Sequence, residues 1–407
     1  MRQIKSLRFV LLVALLVLAI TPVHAQEEGK VVIAPGEPIK LALATDLTNA
    51  IPEFGLDIAN SGKVAVAEVN EAGGIKGFQV EIQVEDDRCT GDDATTVANR
   101  IASDPQVVAV VGHICSGATV SASDVYEEAR IPMMSPSATA AGVTERGLDV
   151  MNRVAFRDDV QGVVAANYLY KVLGVTKLAV LHDNDTYGLG LAEVVQNTFT
   201  ELGGEVVAFQ GINPDDQDFR PVLTSLVPLA PEAIYFGGYV QQAVLLVPQK
   251  NDVGLQDAIF FSDDGVYGEA LITGAGDAAE GAYAAFAEQP ETDPERLEAF
   301  VDKYQEMFDI LPSDLGPFHY HAYDSTKMIL NAIEAVSVVD DAGNMVIDRE
   351  ELIQALRNTT EYDGLTGVLT CDDKGDCGAG SIAVNLVEDG EWINVELPED
   401  LVEAEAE

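Results

Sequence analysis

The sequence is poor in basic residues. Its 407 positions hold 23 lysines and arginines against 68 aspartates and glutamates, which gives a formal net charge of −45. A surface of this sign repels nucleic acid phosphates and anionic lipid headgroups, so we expect neither as a partner. We interpret the acidity as a solvated surface adapted to a saline or acidic environment, rather than as an acidic binding tail.

Sequence motifs for nucleotide, metal and acyl chemistry are also missing. There is no G-x-x-x-x-G-K-[ST] phosphate loop, and the segment 187–190 (YGLG) lacks the third glycine of a dinucleotide fingerprint. His319 and His321 are two positions apart and do not share a helical face, which disfavours a zinc site. A G-x-S-x-G elbow is absent too. We therefore expect no cofactor, no metal and no catalytic activity.

Long apolar runs are absent apart from one near the N-terminus. That run covers residues 9–20 and follows three basic residues, whereas about 20 apolar residues are needed to cross a bilayer. A small-x-small pattern at 23–25 completes the features of a cleaved signal peptide, predicted at 1–25, although a retained anchor is the alternative. No lipoprotein cysteine is seen at the cleavage site. The protein is thus expected to be periplasmic or extracellular, with a mature net charge of −48.

Cysteine is scarce as well, with four in the chain. In an exported protein four cysteines suggest two disulfides, and the number alone leaves three pairings open. About 380 residues would remain after cleavage, which is more than one hydrophobic core usually supports, so two domains are expected.

Apolar segments of strand length recur along the chain. FQVEIQVE (78–85) alternates apolar and polar residues, as a half-buried strand near a sheet edge does. The others are apolar throughout, which is typical of strands in a parallel sheet covered on both faces; they are IKLALA (39–44), VVAVVG (107–112), KLAVLH (177–182), AIYFGG (233–238) and IFFSD (259–263).

Helical patterns alternate with these strands. They cover 55–71, 92–102, 118–129, 160–172, 188–202 and 240–251, followed by 293–308, 318–336 and 349–358. The alternation predicts an α/β fold made of two doubly wound parallel-sheet lobes in tandem. We assign 37–157 with 288–365 to lobe 1, 158–287 with 366–397 to lobe 2, and 398–407 to an acidic disordered tail.

Two hydroxyl-rich loops follow strands of the first lobe, where open α/β sheets bind ligands. Ser116 follows the strand at 107–112 and precedes a helix, so its hydroxyl and free backbone N–H groups could hold a carboxylate. The alternative is that Ser116 merely caps its own helix. The second loop, at 135–139 (SPSAT), could converge on the same anion.

The second lobe offers an acid and two aromatics at equivalent positions. Asp264 follows the strand at 259–263 and could balance a ligand ammonium, unless it belongs to an ordinary Asp-Gly turn. Tyr187 and Tyr239 each follow another strand, and either could instead be a packing residue.

At these residues the chain resembles the periplasmic Leu/Ile/Val-binding proteins of ABC importers. Four segments carry the resemblance, in the same order and at similar spacing: VAEVNEAGGIKGFQVEIQVEDDRC, VVGHICSGATVSASDVYEEARIPMMSPSATA, LHDNDTYGLG and IYFGGY. The likeness runs from about residue 39 to 395. It implies a type I periplasmic binding fold, in which a three-crossing hinge lets two lobes close over an amino acid.

The resemblance also implies roles for individual residues. The carboxylate would be held by the loop at Cys115 and Ser116 and by Thr139, with backbone help at Ser137, and the ammonium by Asp264. Phe54, Tyr187 and Tyr239 would line or cover the pocket. The family pairs Cys89 with Cys115, which leaves Cys371 to pair with Cys377.

Three residues depart from the family pattern. Asp264 is one methylene shorter than the usual glutamate, Phe54 lacks the hydroxyl of the usual tyrosine, and Gly117 replaces a serine. These changes bear on selectivity, so Leu, Ile and Val are the favoured ligands and other amino acids, amides or small organic solutes are alternatives.

The resemblance implies a monomeric, non-catalytic binding protein that delivers its ligand to the membrane permease of an ABC importer. A sensor domain of the same fold and a hydrolase that uses Ser116 are the two competing hypotheses, although no base for Ser116 is evident in the sequence.

Overall fold

The computed structural model describes residues 29–288, 292–378, 381–395 and 397–398. The predicted signal peptide and all but the first residue of the predicted acidic tail lie outside the described residues. Among the helices within these ranges, none has both the length and the hydropathy needed to cross a bilayer.

The first lobe is built on a five-stranded parallel sheet in the order β3-β2-β4-β5-β6. The predicted edge strand is β3, at one end of the sheet. The strands are β2 (Ile39–Thr45), β3 (Val80–Asp86), β4 (Val107–Val111), β5 (Met133–Ser135) and β6 (Met151–Arg153). Because β2 lies between β3 and β4, the topology reverses there, and ligands of open α/β sheets bind at such a reversal.

The second lobe repeats this plan and adds two strands. Its order is β17-β16-β11-β10-β9-β7-β8, with β7 to β11 parallel and the last two strands antiparallel. The strands are β7 (Lys177–His182), β8 (Glu205–Gly211), β9 (Ala233–Gly237), β10 (Ile259–Ser262), β11 (Tyr283–Ala287), β16 (Ile382–Glu388) and β17 (Glu391–Val395).

Helices cover both sheets, and the nine predicted ones are found with bounds that agree to within a few residues. The helices are α1 (Pro52–Glu71), α2 (Gly91–Ala102), α3 (Ser116–Ala129), α4 (Gly142–Glu145), α5 (Asp158–Asn167), α6 (Thr186–Glu201), α7 (Arg220–Leu226), α8 (Val240–Asp252), α9 (Glu269–Ala275), α10 (Pro294–Phe308), α11 (His319–Val336) and α12 (Arg349–Arg357). The short helices α4, α7 and α9 were not predicted. The helix predicted at 160–172 continues after α5 as a π-helical turn, Tyr168–Val172.

Two small sheets complete the structure. One joins β1 (Lys30–Ile33), β12 (Val338–Val339) and β13 (Met345–Asp348), and the other is the hairpin of β14 (Tyr362–Asp363) and β15 (Val368–Leu369). The hairpin packs on the first lobe, where the backbone N–H groups of Leu365 and Thr366 donate to the Asp324 carboxylate of α11.

The last crossing between the lobes differs from the predicted one. The segment after the hairpin also contacts the first lobe: Arg153 N–H donates to Gly375 O at 2.9 Å, and Cys377 N–H donates to Arg153 O at 2.9 Å. The chain therefore crosses back to the second lobe near β16, not at residue 366. The apolar pattern could not separate these short segments from the strands that follow.

Candidate functional site

The first loop of the site begins α3. Cys115 is the N-cap residue in an extended conformation, and no side chain caps the helix within the described structure. The Ser116 hydroxyl instead accepts a hydrogen bond from Ala140 N–H at 3.2 Å, so it does not cap its own helix. The positive end of α3 and the Ser116 hydroxyl thus face the second loop together.

The second loop follows β5 and is fastened to the first by its serines. Ser135 Oγ donates to His113 O at 2.6 Å, and Ser137 Oγ donates to Ile114 O at 3.0 Å. Thr139 is fully buried, and its hydroxyl has no hydrogen-bond partner within the described residues. Ser137 N–H also donates to Ser135 Oγ at 3.4 Å, so the Thr139 hydroxyl is the side-chain group of this loop without a partner among the described residues.

A disulfide and a buried polar network support the first loop. Cys89 is bonded to Cys115, and Cys371 to Cys377, as the resemblance implied. Beside the first disulfide, His113 Nδ1 lies 2.5 Å from Asp87 Oδ2 and His113 Nε2 lies 3.0 Å from Tyr126 Oη. A loop anchored in this way is largely formed before a ligand arrives.

Arg153 supports the second loop from beneath. Its guanidinium is fully buried, and Nη1 donates to the carbonyl oxygens of Ala138 (3.1 Å), Thr139 (2.8 Å) and Ala140 (2.9 Å). Nε donates to Asp376, which lies within the loop closed by Cys371 and Cys377. This arginine fixes the backbone that carries Thr139, and sequence reasoning missed it because it sits on a three-residue strand without an apolar pattern.

The second lobe contributes two adjacent carboxylates. Tyr187 Oη lies 2.7 Å from Asp263 Oδ1 and 2.8 Å from Asp264 Oδ1, and it accepts from Gly265 N–H at 2.9 Å. Burial raises the pKa of Asp264 to about 6, against the opposing effect of the Tyr187 hydrogen bond. Burial also raises the pKa of Asp263 well above its usual value, and the neighbouring Asp264 charge adds to the shift.

A third buried acid, Asp158, was not predicted. It is the first residue of α5, directly after a crossing between the lobes, and its N–H donates to Thr139 O at 3.0 Å. Both carboxylate oxygens lack a hydrogen-bond partner within the described residues. Burial, and then the charge of Asp264, raise the pKa of Asp158 well above its usual value. A cation at this end of the site would lower the raised pKa values of these acids and stabilise their ionised forms.

Both groups of residues meet at one small cavity between the lobes. Its volume is about 10 Å³, room for about one water molecule, so the lobes are nearly closed there. Six predicted residues line it, namely Phe54, Ser116, Ser137, Tyr187, Tyr239 and Asp264, together with Ile51, Ile58, Ile114, Gly265 and Phe318. Two other predicted residues, Cys115 and Thr139, are not part of this lining. The rings of Tyr187 and Tyr239 stack with centroids 5.1 Å apart.

The lobes also touch outside the cavity, at Gly117. A Cβ atom there would lie 2.8 Å from Asp185 Oδ1, and Asp185 is the N-cap residue of α6 in the other lobe. A serine at this position, which the resemblance implies as the usual residue, would crowd this carboxylate. The departure from the family pattern therefore accompanies a close approach between the lobes.

Two α/β lobes joined by three crossings, with hydroxyls and a helix N-terminus on one side of a cavity and buried acids on the other, define a solute-binding protein of ABC importers. The sequence comparison agrees, because the periplasmic binding protein family matches residues 38–383. The chain belongs to this family, whose members work outside the cytoplasm and are not enzymes.

Known proteins similar to the chain carry the same type of name. A leucine-, isoleucine-, valine-, threonine- and alanine-binding protein of Pseudomonas aeruginosa is 36% identical over 344 residues, 84% of this chain and 87% of the relative. A leucine-binding protein structure from Thermotoga maritima has a TM-score of 0.78 at 28% identity, covering 89% of this chain and 99% of that one. A Streptococcus pneumoniae branched-chain amino acid binding protein, solved with isoleucine, has a TM-score of 0.77 at 27% identity, covering 88% and 100%.

Proposed function

We propose that the protein captures an α-amino acid, with leucine, isoleucine and valine as the preferred ligands, and delivers it to the permease of an ABC importer. The observation that carries this proposal is the lining of the cavity, which has Ser116 and Ser137 on the first-lobe side and the buried acid Asp264 on the second-lobe side. Thr139 and Asp158 are neighbours joined by a backbone hydrogen bond of 3.0 Å, and both carry buried side-chain oxygens without a partner among the described residues. A zwitterion supplies the charges that both sides lack.

The carboxylate end would use Ser116, Thr139, the backbone at Cys115 and Ser137, and the N-terminus of α3. These are neutral donors, and donors of this kind at a helix N-terminus favour a bound anion. The ammonium end would use Asp264, with Asp158 and Asp263 adding negative charge. Only the closed protein brings the two ends to one ligand.

The remaining walls favour an apolar side chain. Three isoleucines and two phenylalanines line the cavity, and no basic side chain does so among the described residues. Burying a leucine-sized side chain there would contribute about 2 kcal/mol. One methylene changes binding by only about 1 to 3 kcal/mol, so discrimination among apolar side chains should be modest.

The location and partners complete the proposal. We infer that residues 1–25 direct export and are removed, and that the mature protein works as a monomer outside the cytoplasmic membrane. Lobe closure would be the state that the permease recognises. The names of the relatives support this assignment, since the similar proteins from P. aeruginosa and S. pneumoniae are an amino acid binding protein and a transporter substrate-binding protein.

Calorimetric titration tests the proposal directly. Mature protein is unfolded, stripped of ligand and refolded, and L-leucine, leucinamide and 4-methylpentanoate are then titrated into it. We expect saturable binding of leucine alone, because leucinamide lacks the carboxylate and 4-methylpentanoate lacks the ammonium. No heat from leucine in folded protein, or equal binding of all three compounds, would contradict the zwitterion site.

A further inference from the structure

A second and larger cavity lies between the lobes, beside the crossing segments. Its volume is about 480 Å³, against about 10 Å³ for the amino acid cavity. Residues of β11, β17 and the 267–269 segment line it from the second lobe, and residues 313–321 and Thr366 line it from the first. The proposed amino acid function leaves this space unused.

Phenylalanine rings separate the two cavities. Phe318 lines the small cavity and packs on Phe54 and on Phe286, with ring centroids 6.4 Å and 5.2 Å away. Phe286 lines the large cavity, and so does Gly268, whose Cβ position would lie 3.4 Å from the Phe54 ring. A leucine held at Asp264 would therefore stay on its own side of this partition.

Aromatic rings form one wall of the large cavity. Tyr267 stacks on Phe286 with centroids 5.0 Å apart, and Trp392 lies 5.1 Å from Tyr267. The indole Nε1–H donates to Gly268 O at 2.9 Å, which fixes the orientation of the ring. Tryptophan and tyrosine faces attract cations, because the ring faces carry partial negative charge.

The charge at the cavity is negative only. Glu269, Glu288 and Glu391 line it, all three are exposed, and neither lysine nor arginine does so among the described residues. Within the same part of the chain, none of the three glutamates lies within 4.0 Å of a basic group. Exposed carboxylates bind weakly one by one, but at a cavity mouth they raise the local concentration of cations.

A buried and unpartnered polar group also lines the cavity. His321 is 7% exposed, and its Nδ1 has no hydrogen-bond partner within the described residues. Burial lowers the pKa of His321 to about 3, so the imidazole is neutral at physiological pH. A neutral imidazole is able to accept a hydrogen bond from an ammonium group.

We propose that this cavity is a second binding site, which takes a primary amine carried on an aromatic or apolar body and takes it independently of the amino acid. The aromatic wall would contact the apolar body. The glutamates and His321 would receive the ammonium. The ligand needs no carboxylate, because the described lining offers no lysine or arginine to bind one.

Trp392 provides the measurement, since it is the only tryptophan in the chain. Phenethylamine is titrated into mature protein saturated with L-leucine, with excitation of tryptophan alone, and phenylacetate is the matched anion. We expect saturable quenching by phenethylamine and none by phenylacetate. Equal responses to both compounds, or no response to either, would overturn the proposal.

Charge-neutralising variants locate the site. The double variant Glu288→Gln/Glu391→Gln should weaken phenethylamine binding at least fivefold and leave leucine binding unchanged. Its matched control is Glu128→Gln/Glu298→Gln, which removes two exposed glutamates that do not line the cavity. Equal phenethylamine affinities in the two double variants would show that Glu288 and Glu391 do not contribute to the site.

Leucine-free protein separates this proposal from the amino acid function. Phenethylamine should quench Trp392 with the same affinity in Asp264→Asn, a change that removes the proposed ammonium partner of leucine. Competition between leucine and phenethylamine would overturn the second site, because it would make the large cavity part of the first. Failure of leucine binding alone would leave the second site standing.

Discussion

The two lobes share one topology but equip their halves of the site in opposite ways. The first lobe presents hydroxyls and backbone groups, and most of these are already held by a disulfide, by Arg153 and by hydrogen bonds between loops. The second lobe presents buried carboxylates close to a carboxylate from the crossing at Asp158. One half is neutral and rigid, and the other is charged and electrostatically unfavourable without a partner.

This difference indicates how closure depends on the ligand. Neutral donors cost little when they are buried without an anion, whereas a buried acid that lacks a cation is costly or takes up a proton. Closure without a ligand would therefore be opposed mainly by the acids of the second lobe. The ammonium should decide whether the protein closes, and the carboxylate should decide how the ligand is oriented.

Removal of the acid should give the largest effect. We expect Asp264→Asn to weaken leucine binding about thirtyfold or more, since truncating one member of a buried charge pair costs about 2 kcal/mol or more. Calorimetry measures the affinity, and Asp257→Asn, an exposed change on the same lobe, is the control. An unchanged affinity would show that Asp264 does not bind the ligand ammonium. The proposed difference between a neutral first lobe and a charged second lobe would then be wrong.

Acidification should give the next largest effect. The pKa of Asp264 is raised to about 6, so this carboxylate is mostly ionised at pH 7 and mostly protonated at pH 5. Leucine affinity should then fall about tenfold over this range, because the ammonium binds the ionised form. Titrations at several pH values measure the slope. Asp264→Asn should show a much flatter profile, and an equally steep one would assign the titration to another group.

Loss of a hydroxyl from the first lobe should matter less. Thr139→Val keeps the shape of the side chain and should weaken leucine binding about fivefold, since one hydrogen bond to a charged group is lost. Thr139→Ser retains the hydroxyl and should restore most of the affinity. If the variants Thr139→Val and Thr139→Ser bound leucine equally well, the Thr139 hydroxyl would not contact the leucine carboxylate.

Loss of the disulfide should change leucine affinity least. Cys89→Ser/Cys115→Ser opens a loop of 26 residues and should lower the free energy of unfolding by about 3.5 kcal/mol, but weaken leucine binding only about threefold. The same double change at Cys371 and Cys377 opens a loop of 6 residues and should cost about 2 kcal/mol. Denaturant unfolding measures both. A loss of leucine affinity much greater than threefold would show that the disulfide itself sets the binding geometry of the loop, and that the hydrogen bonds between the loops do not suffice.

Most of the fold could be predicted because buried parallel strands and amphipathic helices leave strong periodic patterns. Ligands of open α/β sheets bind beyond the carboxyl ends of the strands, and this rule led to Ser116, Tyr187, Tyr239 and Asp264. The resemblance to a known family added Phe54 and the pairing of Cys89 with Cys115. Neither of these two could be derived from periodicity.

The residues that were missed lie where these patterns carry no signal. Asp158 follows a crossing and not a strand of the ligand edge, and Arg153 is a charged residue inside a short buried strand. Phe318 reaches the cavity from just before α11, far along the chain. The contact between residues 371–377 and the first lobe depends on tertiary structure, which is why the last crossing was placed too early.

The contact between Arg153 and Asp376 spans 223 positions of the chain. The loop that carries Thr139 is therefore completed by a residue that emerges near the end of synthesis, although every predicted contact to the carboxylate lies within the first 140 residues. A nascent chain that stops before residue 376 would have all of those contacts, but the buried Arg153 guanidinium beneath the loop would still lack this carboxylate partner. We therefore expect the loop to reach its final order only when nearly the whole polypeptide is present.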